Sequence, residues 1–313
     1  MKEDIAGIIQ DKLGIDVVDI LTNKLSGSEL NSLLMKVFAN RVSKMTPADL
    51  LRSYMKNRFA QPAESDYIKL LQQSVEALQF FRERGFEPRQ LSPLVPLGTC
   101  SVVGVVDQNK IVPAARNGEI LSDATNALAL EIAVQKKQDK ARASSREQIK
   151  YACVQRHMRA QVTHIKGFTP HFTIGCLVTA GRDEGSFGFE LSAVTDHLVT
   201  MTTLLKDVFA VDSMFIKLQP RLRYSEDFIS KLHDHVKAHL PELDIYLDGH
   251  APQNNYYHGV QFKVVIHKHR RELEIADGGL VDWTQKLLND KKERYCISGF
   301  GLELLNKLEE GLL

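Results

Sequence analysis

No stretch of this 313-residue chain stays apolar for the roughly 20 residues that a membrane-spanning helix needs. The opening MKEDIAGIIQDKLG carries acidic residues inside its short apolar pattern, so no signal peptide or membrane anchor is expected and a cytoplasmic protein is. Cysteine is scarce too. Cys100, Cys153, Cys176 and Cys296 lie far apart, without the close pair that thiolate metal sites use, and read as reduced, buried small hydrophobes. Nor is either sign of charge in excess: 40 Lys and Arg against 39 Asp and Glu leave a formal net charge of +1, no global attraction for nucleic acid. What is present, 43% hydrophobic and 25% charged residues, is ordinary globular composition. The length suffices for one large core with a small appendage, or for two modest domains.

Two local features depart from this blandness. Gln135 to Lys150 holds six basic and two acidic residues, which reads as a solvated helix end or linker; RNA contact is the minor alternative, and nucleic acid is not expected as a partner. In KLHDHVKAHL, His235 and His239 are spaced to share a helical face, but no third ligand stands at a motif distance, so no metal site is expected.

Along the chain, residues 1–62 read as a small helical extension, with Ser26 or Ser28 as one cap and Thr46 followed by Pro47 as another. A longer helix follows in DYIKLLQQSVEALQFFRERG, with Ile68, Leu71, Val75 and Leu78 as its apolar stripe and Gly85 as its stop. FEPRQLSPLVPLGT reads as a strand segment, and GTCSVVGVVDQNKIVPA as a hairpin around DQNK. Beyond it, helix is expected from Thr125, strand at HFTIGCLV, helix at ELSAVTDHLVTM, then strands at DSMFIKLQP and ELDIYLDG flanking the histidine-bearing helix. Two more strands, VQFKVVI and LEIADGGL, and a strand-to-helix unit at YCISGFGLELLNKL complete the pattern. Strands arriving as hairpins favour α+β: an antiparallel sheet flanked by helices over residues 63–313, after the helical extension.

The adjacent Tyr256 and Tyr257 stand where a strand begins. Strand neighbours face opposite sides, so one tyrosine is expected to line a site and the other to pack behind it.

The order RERGFEPRQLSPLVPLG, HFTIGCLV, NNYYHGVQFKV, GGLVD, GFGLELL resembles the catalytic domain of class II aminoacyl-tRNA synthetases. Within that class it is most similar to histidyl-tRNA synthetase and its paralogue, the regulatory subunit of ATP phosphoribosyltransferase. The resemblance runs from about Tyr67 onward. It implies a homodimer through Asp66 to Leu97, with Pro93 as the motif 1 proline, and a motif 2 arginine at Arg156 or Arg159. It also implies a histidine-type pocket at Tyr256, Tyr257, Gly259 and Phe262, with Asp123 and Thr125 in the acidic region and His258 where the family has threonine. On the residues alone, Asp123 and Thr125 would equally serve as a helix cap and His258 as a turn histidine.

The chain departs from that family at cationic positions. Leu304 replaces the motif 3 arginine, Pro252 falls near another family arginine, and Leu280 and Val281 follow the Gly278-Gly279 pair where the family has Arg-Tyr. No anticodon-binding domain is expected after motif 3. Guanidinium groups neutralise the charge that develops on phosphate during adenylate formation, so these losses point to a binding or regulatory protein without tRNA-charging activity. Its ligand is expected to be amino-acid-like, with a protein partner as a further possibility and no certain cofactor. The alternative is an adenylate-forming ligase that uses ATP and Mg, with Arg156, Arg159 and Arg182 in a rearranged site and a non-tRNA acceptor.

Overall fold

The capping signals of the first sixty residues act as expected in the computed structural model, which describes residues 4–139, 141, 145–162, 167–211, 213–250, 252–268 and 271–313. Helix α1 (Ile5–Leu13) ends at Gly14 in the left-handed region. Helix α2 (Gly27–Val42) starts on a capping box in which Glu29 N–H donates to Ser26 Oγ at 3.3 Å and Ser26 N–H to Glu29 Oε2 at 2.7 Å. Thr46 and Asp49 repeat the device at α3 (Pro47–Lys56), with Pro47 in the first turn. Local chemistry therefore makes these helices. None of the three buries a residue.

Helix α4 (Tyr67–Glu83) is capped by Asp66 and stopped by Gly85 at φ +83°. Its buried face is Leu70, Gln73, Ala77 and Phe81, one position away from the stripe read in the sequence. Ile68 and Val75 are 70% and 54% exposed, and Leu71 is exposed with them. The helix thus carries two apolar faces, and the sheet takes the one with smaller residues and Phe81.

After α4 come β1 (Glu87–Pro88), β2 (Leu94–Pro96), β3 (Pro113–Ala114) and β4 (Gly118–Ile120). The hairpin expected around DQNK is not formed: Thr99–Val103 and Gln108–Lys110 are short helical turns, and β2, β4 and β3 make a small separate sheet in that order. Glu119 supplies the reason. Its buried carboxylate accepts Gly98 N–H at 2.8 Å, Cys100 N–H at 3.0 Å and Gln108 Nε2–H at 3.1 Å, which wraps the segment around one anion.

The remaining elements are α5 (Ala124–Gln138), β5 (Ile149–Met158), β6 (His171–Arg182), α6 (Gly188–Thr203), β7 (Met214–Pro220), α7 (Glu226–His239), β8 (Asp244–Leu247), β9 (His258–Lys268), β10 (Arg271–Val281), α8 (Trp283–Leu288), β11 (Glu293–Phe300) and α9 (Leu302–Glu309). Among the described residues, eight strands form one sheet in the order β1-β5-β6-β11-β10-β9-β7-β8. Its inner pairs are antiparallel, and only the outermost, β1 with β5 and β7 with β8, are parallel.

Both faces are covered, as period-two burial shows. Leu177 of β6 joins a core built with α4, α6, α7 and α9, while its neighbours Cys176 and Val178 join a second core with α5 and α8. The basic run beginning at Gln135 is not all solvated either. Lys136 is buried against Glu293, Nζ to Oε2 2.5 Å, while parts of the run lie outside the described residues.

Candidate functional site

The tyrosine pair sits just ahead of β9, not within it. Asn254 Oδ1 accepts the N–H groups of both Tyr256 and Tyr257 at 3.1 Å, a side-chain turn that releases the pair from strand alternation. Gly259 at φ +67° continues this irregular entry, and a Cβ there would lie 2.7 Å from the Tyr224 ring. Both tyrosines consequently border one cavity of about 760 Å³, where one lining and one packing residue had been expected. Their rings meet edge-on at 4.8 Å, and Trp283 stands edge-on to Tyr256 at 5.3 Å.

Each hydroxyl donates to a carboxylate. Tyr256 reaches Asp123 Oδ2 at 2.5 Å and Tyr257 reaches Asp277 Oδ2 at 3.1 Å. Burial, reinforced by these carboxylates, holds both phenols well above their ordinary pKa, so they remain donors throughout the physiological range. Burial likewise raises the Asp277 carboxyl, against the opposing effects of the Tyr257 bond and the Arg159 charge. Gln261 Nε2 donates to the same Asp277 oxygen at 3.3 Å and is itself fixed by Arg221 Nη2 at 2.5 Å.

Asp123 caps α5, its Oδ1 accepting Thr125 N–H at 2.9 Å and the Thr125 hydroxyl at 2.6 Å. One oxygen holds the helix and the other accepts the Tyr256 hydroxyl, so the capping residue also borders the cavity. His157 completes this helix start by accepting Ala124 N–H on Nε2 at 2.9 Å, which assigns its proton to Nδ1, facing the Gln155 carbonyl at 2.9 Å. Arg159 borders the cavity, donating from Nε to the Ser122 carbonyl at 3.2 Å with its guanidinium 5.3 Å from the Phe172 ring centre.

Other sequence-read residues lie elsewhere. Arg156 is not among the residues bordering the cavity; it donates to Glu303 Oε2 at 3.1 Å, Thr173 Oγ1 at 3.3 Å and His171 Nδ1 at 2.9 Å. Arg182 is bound to Asp290 and Glu293, both at 3.0 Å. His258 borders a second cavity of about 510 Å³, where burial pushes its imidazole below the usual value despite Asp282 at 3.8 Å. Leu304 does border the main cavity. The Pro252 carbonyl accepts Arg221 Nη1 at 3.0 Å, so a buried guanidinium approaches the region where the family arginine is missing. Asp277, Gln261, His157 and Arg221 escaped the sequence reading. Asp277 had a signal, since it immediately precedes the Gly278-Gly279 pair.

Among the described residues no cluster of three or more His, Cys, Asp or Glu could hold a metal ion, and no helix is long and apolar enough to cross a membrane. By sequence the chain matches no family model and no curated relative. By structure it resembles an ATP phosphoribosyltransferase regulatory subunit/histidyl-tRNA synthetase from Bacillus halodurans, with a TM-score of 0.62 and 12% identity over 80% of this chain and 83% of that one. The chain has the class II synthetase fold. Two further structures on the synthetase fold are similar at 12% identity: S. aureus histidyl-tRNA synthetase (TM-score 0.56, 78% of this chain and 66% of that one) and a histidine–tRNA ligase subunit from Alicyclobacillus acidocaldarius (0.59, 82% and 97%). The synthetase fold accounts for the central sheet and for the order of segments read from the sequence. At this identity it speaks to architecture only.

Proposed function

We propose that this chain is a non-charging, regulatory or ligand-binding protein on the synthetase fold whose cavity takes an amino-acid-like molecule. The observation that carries the reading is the presence of opposite charges in one cavity wall: Asp123, which accepts the Tyr256 hydroxyl, and Arg159 border the same cavity as the tyrosine pair. A zwitterion fits that pair, its ammonium on Asp123 with the Thr125 and Tyr256 hydroxyls near, its carboxylate on Arg159. Leu304 supplies no charge where the family's arginine would contact ATP, which argues against nucleotide activation.

The exposed stripe of α4 supports a homodimer, because a second copy would cover Ile68, Leu71 and Val75. Residues 1–62 are proposed as a separate helical unit, consistent with the absence of buried residues from α1, α2 and α3.

The test is a screen of the amino acids by thermal shift, run beside amino-acid-dependent exchange of pyrophosphate into ATP. A binder should raise the melting temperature, with stabilisation of about 2.7 kcal/mol at a hundredfold excess over Kd, while exchange stays at background. Arg159→Ala and Asp123→Ala should each remove the shift. Exchange activity that disappears in Arg159→Ala would establish the ligase instead.

A further inference from the structure

We propose that the ligand of the main cavity carries an uncharged apolar extension beyond its amino-acid head, filling the space where a nucleotide triphosphate would need cations. This deepens the amino-acid reading and rests on it.

Size is the first reason. At about 760 Å³ the cavity belongs with those that enclose drug-sized molecules, and the Asp123, Arg159 and tyrosine cluster occupies one part of its wall. The wall also includes Phe168, Ile174 and Leu304, which keep accessible surface, with Ile275, Ala276 and Phe300 almost fully buried beside them. These are contacts for carbon, not for phosphate.

Charge is the second reason. Among the described lining residues, the lysines and arginine are Lys110, Arg159, Lys263 and Lys307. Lys263 is closed onto Glu274 at 2.6 Å. Lys307, almost fully buried, is held by Glu303 Oε1 at 3.3 Å and the Gly167 carbonyl at 3.0 Å. A triphosphate would face those two carboxylates and compete with them for Lys263 and Lys307, while Arg156 stays engaged with the other oxygen of Glu303. Lys110 is exposed at the edge of the lining. An apolar tail disturbs neither pair and gains by covering the accessible parts of Leu304 and Phe168.

The tail is attached through the side chain, which leaves the carboxylate free for Arg159, and a carboxyl-linked compound serves as the contrast. Kd is measured by calorimetry for a free amino acid that binds, its naphthylamide, an amino acid bearing a long ω-aryl side chain, and ATP. The amino acid with the long ω-aryl side chain is expected to bind about tenfold or more tighter than the free amino acid, and tighter than the naphthylamide. Leu304→Arg and the milder Leu304→Ala, each checked for a cooperative melt, should shrink that difference. Equal affinity for free and tailed compounds overturns the extension and leaves the amino-acid reading standing. ATP binding as tight as the best tailed compound also overturns it. Absence of binding by every compound overturns both.

Discussion

Tyr256 shows how little atomic change separates a packed residue from a site residue. Its ring packs on Trp283 and Tyr257, while its hydroxyl satisfies Asp123. Tyr256→Phe should keep the packing yet deprive the half-buried Asp123 carboxylate of a donor, costing about 1–3 kcal/mol of stability by urea unfolding and loosening the cap of α5. His197 offers a second residue-scale prediction. It bridges Thr179 Oγ1 and Ser298 Oγ, both at 2.9 Å, and burial, with a smaller contribution from Lys150, pushes its pKa from 6.5 down to about 3. The unfolded chain takes up a proton below about pH 6.5 while the folded chain does not, so stability is lost as pH falls through that window. Roughly 2–3 kcal/mol should disappear between about pH 6.5 and 4.5, and His197→Gln should flatten that limb of the urea midpoint profile. At this scale the sequence was a partial guide. It marked the tyrosines, Asp123 and Arg159 through the resemblance of their segments to the synthetase motifs, and all four border one cavity. It placed His258 beside them, although the turn that precedes β9 sends that side chain to the other cavity, and it did not reveal Asp277, whose role depends on strand register against β9.

Helix ends were the most legible elements, because capping is a property of three or four consecutive residues. Ser26, Thr46 with Pro47, and Gly85 all act where the sequence placed them. Burial was harder to read. The stripe assigned to α4 is apolar at helical spacing, yet the sheet chose the neighbouring face, and nothing local distinguishes the two. For the homodimer proposed above the consequence is measurable: Ile68→Asp with Val75→Asp should leave the melting cooperative but halve the mass found by light scattering, whereas Ala77→Asp on the buried face should unfold the chain. The failed hairpin after Gly98 has the same kind of cause. Glu119, nine residues beyond Lys110, captures the backbone of the segment through its buried carboxylate, and no periodicity analysis detects such a long reach. Glu119→Ala should leave the Gly98 and Cys100 amides without their acceptor and destabilise by about 2–4 kcal/mol, read by chemical denaturation.

For the whole molecule, class and segment order were legible because hairpin strands and intervening helices follow one another with little interruption. The sheet order was not. β11 lies between β6 and β10, pairing with both, although it follows both in sequence. Without it the sheet would be two pieces: β5 and β6 with Arg156, and β9 and β10 with Asp277. The cavity wall cannot close until this strand inserts, since Ile297, Ser298 and Gly299 belong to it. Assembly of the site is therefore tied to a late, long-range pairing event, which should be slow relative to formation of the two flanking hairpins. In refolding followed by stopped flow, ligand affinity should appear only with the final phase, and a chain stalled on the ribosome before β11 emerges should hold hairpins but no binding site.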